Sequence, residues 1–239
     1  MISQKDFVSI LTEEFNRFTK IISILIYKDL SEEYHPQWLN TNLILIGKDF
    51  SLFEDKKFLR FLLALQNKKV ISPLVFIESE LEYLSIYTPL QALDIKLNHK
   101  IVYGKNIFKM LSPSLPMLWR QCDVYLKGEY LTLRWNYLKV RSHQELKEIL
   151  KESYLWIRLV LQALAWVAEG EGEHLHSFDI LGTVQKKWKV NLSAMASVAE
   201  GRDLSRFKKR VEMEEFFFSF LDEIAELMGI VDGRIGERC

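Results

Sequence analysis

Three groups of residues in this chain have types and spacing that bear on chemistry. Within SPLVFIESELEYLSIYTPLQALDIKLNHKIVYGKNIF, residues 72–108, Asp94 is one carboxylate inside an otherwise apolar expected strand, and it marks where to look for a site. If this segment is a strand, Ala92, Asp94, Lys96 and Asn98 line one polar face and Leu93, Ile95 and Leu97 the other. A solvated Asp94 beside Lys96 is then the alternative to a site role. His174 and His176, flanked by Glu173 and Asp179, have the donor chemistry for zinc but lack a spaced third ligand, so a solvated loop pair competes with a metal site. His35, His99 and His143 are isolated. Lys186, Lys187 and Lys189, with Arg202, Arg206, Lys208, Lys209 and Arg210, form the strongest local excess of positive charge. Trp188 and Phe207 interleave with it, as stacking and phosphate contacts to RNA would favour. Solvated helix faces give the same pattern.

Bulk composition narrows the partners. Lys plus Arg and Asp plus Glu both number 32, so the chain lacks the overall charge of a dedicated nucleic-acid binder, and any such binding must be local. A hydrophobic fraction of 49% over 239 residues supplies core for one large domain or two ordinary ones. Two cysteines, Cys122 and Cys239, give neither metal spacing nor a disulfide framework. The opening MISQKDFVSILTEEF has no signal-peptide core, and Ile21 to Tyr27 is too short to span a bilayer. The expectation is a soluble cytoplasmic protein with no membrane partner.

The elements that must position these groups follow from hydrophobic periodicity. Ser3 to Lys20 reads as an amphipathic helix, Ile21 to Tyr27 as a strand, Lys28 to Trp38 as a polar loop, and Asn42 to Gly47 as a buried strand. Phe53 to Gln66 is helical, Leu74 to Ile77 a strand, Glu80 to Ile86 a short helix, and Leu90 to Leu97 and Lys100 to Tyr103 two further strands. After Pro113 and Pro116 the pattern is helix after helix. Stripes run through Leu118, Cys122, Tyr125, Leu133 and Tyr137, then through Leu146, Leu150, Ile157, Val160 and Leu164. Shorter helices are expected over Ser177 to Val190, capped by Ser177, and over Leu192 to Ala199, before a long final helix. The expected organisation is α+β: a mixed sheet with helices over residues 1–112, then a helical bundle over 113–239.

A strand, a polar loop, a second strand, a helix and a third strand bearing an isolated Asp, followed by a bundle, resembles the nucleotidyltransferases of the DNA polymerase beta superfamily. The run PLVFIESELEYLSIYTPLQALDIKLNHKIVYGKNIF, continued by LWRQCDVYLKGEYLTLRWNYL, looks like the second half of such a domain and the first bundle helix. The resemblance covers Ile21 to about Tyr137 and, beyond that, only the order of helices. It implies a Gly-Ser pair after the first strand, paired carboxylates two apart at the second, and a third carboxylate from a neighbouring strand, together holding two magnesium ions. This chain has Lys28 and Asp29 where Gly-Ser is expected, and Asn40 and Asn42 where the paired carboxylates are expected. Only Asp94 matches. Two neutral amides in place of two carboxylates weaken magnesium binding severely, and Lys28 closes the approach to phosphate that glycine leaves open.

The resemblance therefore implies a nucleotidyltransferase-like protein, degenerate at its metal site and retained for nucleotide or partner binding. Its alternatives are an active nucleotidyltransferase with an altered metal shell, using magnesium with a nucleotide and Asp94 as a ligand, and a helical module that binds RNA or protein through the basic patch. The final helix adds an expectation of a homodimer. Leu204, Phe207, Val211, Phe218, Leu221, Ile224 or Ala225, Met228 and Val231 already form one buried stripe, while Phe216, Phe217 and Phe220 add further aromatic surface. Packing of those rings within the chain is the competing reading.

Overall fold

The computed structural model describes residues 18–27, 43–67, 73–170, 179–200, 207 and 209–236. Two of the strands are apolar almost throughout, broken only by Ser23, and show no polar alternation, the signature of strands covered on both faces. These are β1 (Ile21–Tyr27) and β2 (Leu43–Gly47), and every residue of the two is buried except the half-buried Ile22. A 3₁₀ turn (Phe50–Glu54) and helix α1 (Lys56–Asn67) lead to β3 (Leu74–Ile77). Helices α2 (Glu80–Tyr87) and α3 (Pro89–Leu97) precede β4 (His99–Gly104).

The four strands form one mixed sheet in the order β3-β2-β1-β4. β1 runs antiparallel to both neighbours, and β2 runs parallel to β3. A parallel step needs a crossover, and α1 supplies it. Ile24 of β1 pairs with Leu45, and Ile26 with Leu43, so these side chains share a face. Ile24, Leu43 and Leu45 join Leu52 and Phe58 there, with Phe61 and Leu62 of α1 packed alongside. Alternation sends Leu25 and Tyr27 to the opposite face, where Tyr27 meets α3 through Asp94. The sheet is thus covered by α1 on one side and α3 on the other.

Gly104 ends β4 with φ of 79°. A Cβ there would lie 1.9 Å from the Ile22 carbonyl oxygen, so glycine is required by both conformation and space.

The expectation for Leu90 to Leu97 is overturned: this segment is helix α3, not a strand. Leu90, Ala92, Leu93, Asp94 and Ile95 are all buried, and a helix buried nearly all round loses the 3.6-residue period that identifies amphipathic helices. Thr88-Pro89 was the available signal, since proline is favoured in a helix's first turn. The expected helix over Ser3 to Lys20 falls largely on residues outside those described, and residues 18–20 are not helical.

The chain divides into two compact units, Met1–Tyr87 with Ala92–Ser112, and Thr88–Gln91 with Pro113–Cys239. Within the second, the Leu90 amide donates to Gln121 Oε1 at 2.7 Å and the Gln91 side chain donates to the Tyr125 hydroxyl. The helices of this unit are α4 (Leu115–Tyr137), α5 (His143–Ala168), α6 (Ile180–Trp188), α7 (Ser193–Ala199) and α8 (Arg210–Gly236). Pro116 lies in the first turn of α4. Ser142 accepts the Glu145 amide at 3.2 Å while Glu145 accepts the Arg141 amide at 2.8 Å, a reciprocal cap that sets the start of α5. From Leu159 to Trp166 every residue of α5 is buried, so α5 is the central helix. α4 packs against α5 and α8, and α5 against α6. The cap of α6 is Asp179, whose carboxylate accepts the Gly182 amide at 2.8 Å, two residues beyond the expected Ser177.

Candidate functional site

Asp94 is the one sequence-derived site carboxylate among the described residues with a built environment, and that environment is a structural one. It lies in the middle of α3, 1% exposed. Its Oδ2 accepts the Tyr27 hydroxyl, and its Oδ1 accepts the Asn98 side-chain amide at 2.7 Å. The same Asn98 amide donates to the Asp94 carbonyl at 3.0 Å. Both carboxylate oxygens therefore carry a hydrogen bond from a neutral donor, as burial of a carboxylate demands. The alternative of a solvated Asp94 beside Lys96 is also corrected. Two residues apart on a helix point in opposed directions, and the Lys96 ammonium donates instead to the Leu111 carbonyl at 2.7 Å.

Tyr27 is the last residue of β1 and directly precedes Lys28; Leu43 begins β2 directly after Asn42. Lys28, Asp29, Asn40 and Asn42 themselves lie outside the described residues, as do His174, His176, Arg202, Arg206 and Lys208. Among the described residues no three His, Cys, Asp or Glu side chains group as a metal site would need. Sequence reasoning missed Tyr27 and Asn98. The spacing of Asn98 four residues after Asp94 was the legible signal, because such pairs meet on a helix.

The described members of the basic group, Lys186, Lys187, Lys189, Lys209 and Arg210, do not gather into one surface. Lys186 and Lys187 are exposed on α6, and Lys189 follows in a left-handed conformation at its end. Their neighbour Trp188 is held by the chain: it donates to the Leu164 carbonyl at 3.4 Å, meets Trp119 edge-on, and lies under the Arg234 guanidinium at 5.0 Å. α6 thus sits beside the C-terminal end of α8. Lys209 and Arg210 are at the other end of α8, about 36 Å away at 1.5 Å per residue, and Arg210 is paired with Glu214 at 2.8 Å. Phe207 packs on Phe216 at 5.0 Å. The two aromatics proposed to stack on bases are thus both engaged by other side chains. A groove of about 450 Å³ does include Lys186 and Lys187, but Glu169 and Asp179 line it too, which weakens its pull on phosphate.

The expected stripe of the final helix is corrected in part. Phe217 and Phe220 are fully buried, with Phe217 stacked on Tyr137 at 4.9 Å, whereas Val211 and Phe218, placed in the stripe, are exposed. The buried line runs through Met213, Phe217, Phe220, Leu221, Ile224, Leu227 and Val231. Leu204 lies outside the described residues.

Glu223 of α8, also unanticipated, is buried and caps α7. Its carboxylate accepts the Ala194 amide at 2.7 Å and the Met195 amide at 2.8 Å. Burial pushes its pKa above the ordinary glutamate value, and the Ala194, Met195 and Ser193 hydrogen bonds offset this only partly. The Cys122 thiol is buried and pushed up by loss of solvation, so it is inert as a nucleophile at neutral pH.

No protein-family model, curated protein or solved structure matches this chain. Among the described residues no helix is long and apolar enough to cross a membrane.

Proposed function

We propose that this chain is a nucleotidyltransferase-like protein that works by binding, without ordinary nucleotidyl transfer. The observation that carries the absence of transfer is the setting of Asp94: the carboxylate that the resemblance expects on a third strand sits instead on a helix, buried and hydrogen-bonded to Tyr27 and Asn98, so the likeness rests on the remaining order of elements. A metal ligand for phosphoryl chemistry must instead present its oxygens to solvent and to neighbouring carboxylates. Asn40 and Asn42 add no negative charge at the positions where the resemblance expects it.

Titration of the chain with ATP, with and without magnesium or manganese, tests this. Metal-independent binding supports retention of a nucleotide. Absence of binding assigns the retained role to a macromolecular partner. Metal-dependent binding accompanied by turnover overturns the reading.

A further inference from the structure

The outward face of α4 is apolar where a bundle helix ordinarily turns polar residues to water. Val124, Gly128, Leu131, Trp135 and Leu138 step along it by four and three residues, the spacing of a helix–helix seam. Leu131, Trp135 and Leu138 are 62%, 61% and 75% exposed. Together with Phe218 of α8, 48% exposed, they line an open groove of about 640 Å³ that also includes Arg134 and Asp222. A Cβ at Gly128 would meet nothing within 4 Å, so the middle of the seam is open to close approach.

Charge is sorted between the two helices. The exposed charged residues of α4 are Arg120 and Arg134, both cationic. α8 holds no lysine or arginine between Val211 and Gly233, and it exposes Glu215, Asp222, Glu226 and Asp232, the last paired with Lys127 of α4. The face formed by the pair thus carries its own cationic strip beside its own acidic strip, with apolar groups between.

We infer that this face is an interface between two copies of the chain, formed by laying α4 of each copy on α8 of the other. α4 and α8 are antiparallel, since Tyr137 stacks on Phe217 at 4.9 Å while Lys127 pairs with Asp232 at 3.0 Å. A two-fold axis along the helix pair keeps each residue at its own level and swaps the helices, so Arg134 comes opposite Asp222 of the second copy. A two-fold across the pair would set cationic α4 on cationic α4, and the charges disfavour it. Helices of this length give a face about 35 Å long and about 20 Å wide, roughly 700 Å², close to the ~800 Å² per partner of a stable interface. This surface belongs to the second unit and does not depend on the chemistry assigned to Asp94.

Light scattering after gel filtration of the full chain at micromolar concentration tests the interface. The expected mass is twice the 28.2 kDa of one chain. Trp135→Glu and Phe218→Glu, with helical content unchanged by circular dichroism, are expected to give the single-chain mass. Arg134→Asp is expected to weaken the dimer about tenfold or more, and adding Asp222→Arg to restore it, because the swap recreates the complementary pair. A single-chain mass for the unmodified protein overturns the inference. So does a dimer unmoved by Trp135→Glu and Phe218→Glu, or a charge swap that fails to recover association.

Discussion

Tyr27 and Asp94 lie 67 residues apart in sequence, and the phenolic hydroxyl of the first donates to Oδ2 of the second. The bond ties the end of β1 to the middle of α3, and with Asn98 it neutralises the cost of burying a carboxylate. It also removes Asp94 from the role that its isolation in an apolar stretch suggests.

Removing the carboxylate leaves the Tyr27 hydroxyl and the Asn98 amide without that acceptor. Asp94→Ala is expected to destabilise the chain by about 2–4 kcal/mol and Tyr27→Phe by about 1–2 kcal/mol. Urea unfolding followed by far-UV circular dichroism measures both. The double variant should cost less than the sum of the singles, because the two share one interaction. An Asp94→Ala protein as stable as the parent would rule out the structural role.

Gly104 and Gly233 should respond oppositely to the same change. Gly104→Ala forces a Cβ to 1.9 Å from the Ile22 carbonyl at a positive φ and is expected to cost about 3 kcal/mol or more. Gly233→Ala, on an exposed turn of α8 with open space around it, should stabilise by about 0.5–1 kcal/mol. Melting temperatures of the two variants moving in the same direction would contradict this account of β4 and α8.

Glu223 gives a pH-dependent prediction. Glu223→Ala leaves the Ala194 and Met195 amides unpaired and should cost about 2–4 kcal/mol. Because burial raises the carboxyl's pKa above the ordinary 4.5, the folded chain holds this proton more tightly than the unfolded chain. The group's contribution is full below the unfolded value and falls as pH rises through the raised folded value. The stability gap between the parent and Glu223→Gln should therefore shrink as pH climbs above 4.5. A gap that widens over that range would reverse the assigned cause.

Much of the fold was legible because its elements are continuous patterns of the right length. Ile21–Tyr27 and Leu74–Ile77 are short branched apolar runs and form strands at those bounds. The stripes of α4 and α5 match their buried faces at Leu118, Cys122, Leu133, Leu150 and Leu164. Leu90 to Leu97 misled because burial on nearly every side erases helical period, leaving a polar alternation at Asp94 and Lys96 that mimics a strand. Three consecutive phenylalanines, Phe216 to Phe218, have no period, so only packing decides that Phe217 turns inward and Phe218 outward. At the candidate site, Asp94 could be singled out by its own surroundings in sequence, whereas Tyr27 reaches it only through tertiary structure. The described basic residues, Lys186, Lys187 and Lys189 before α7 and Lys209 and Arg210 after it, are parted by the length of α8.

The most direct test of the central claim is a transfer assay with labelled ATP, CTP and GTP in magnesium and in manganese, on the parent chain and on Asp94→Asn. The account predicts no nucleotide transfer from either protein with either metal, while Asp94→Asn still loses stability. Transfer by the parent that disappears in a folded Asp94→Asn protein would show that Asp94 serves a metal centre, and would contradict the account.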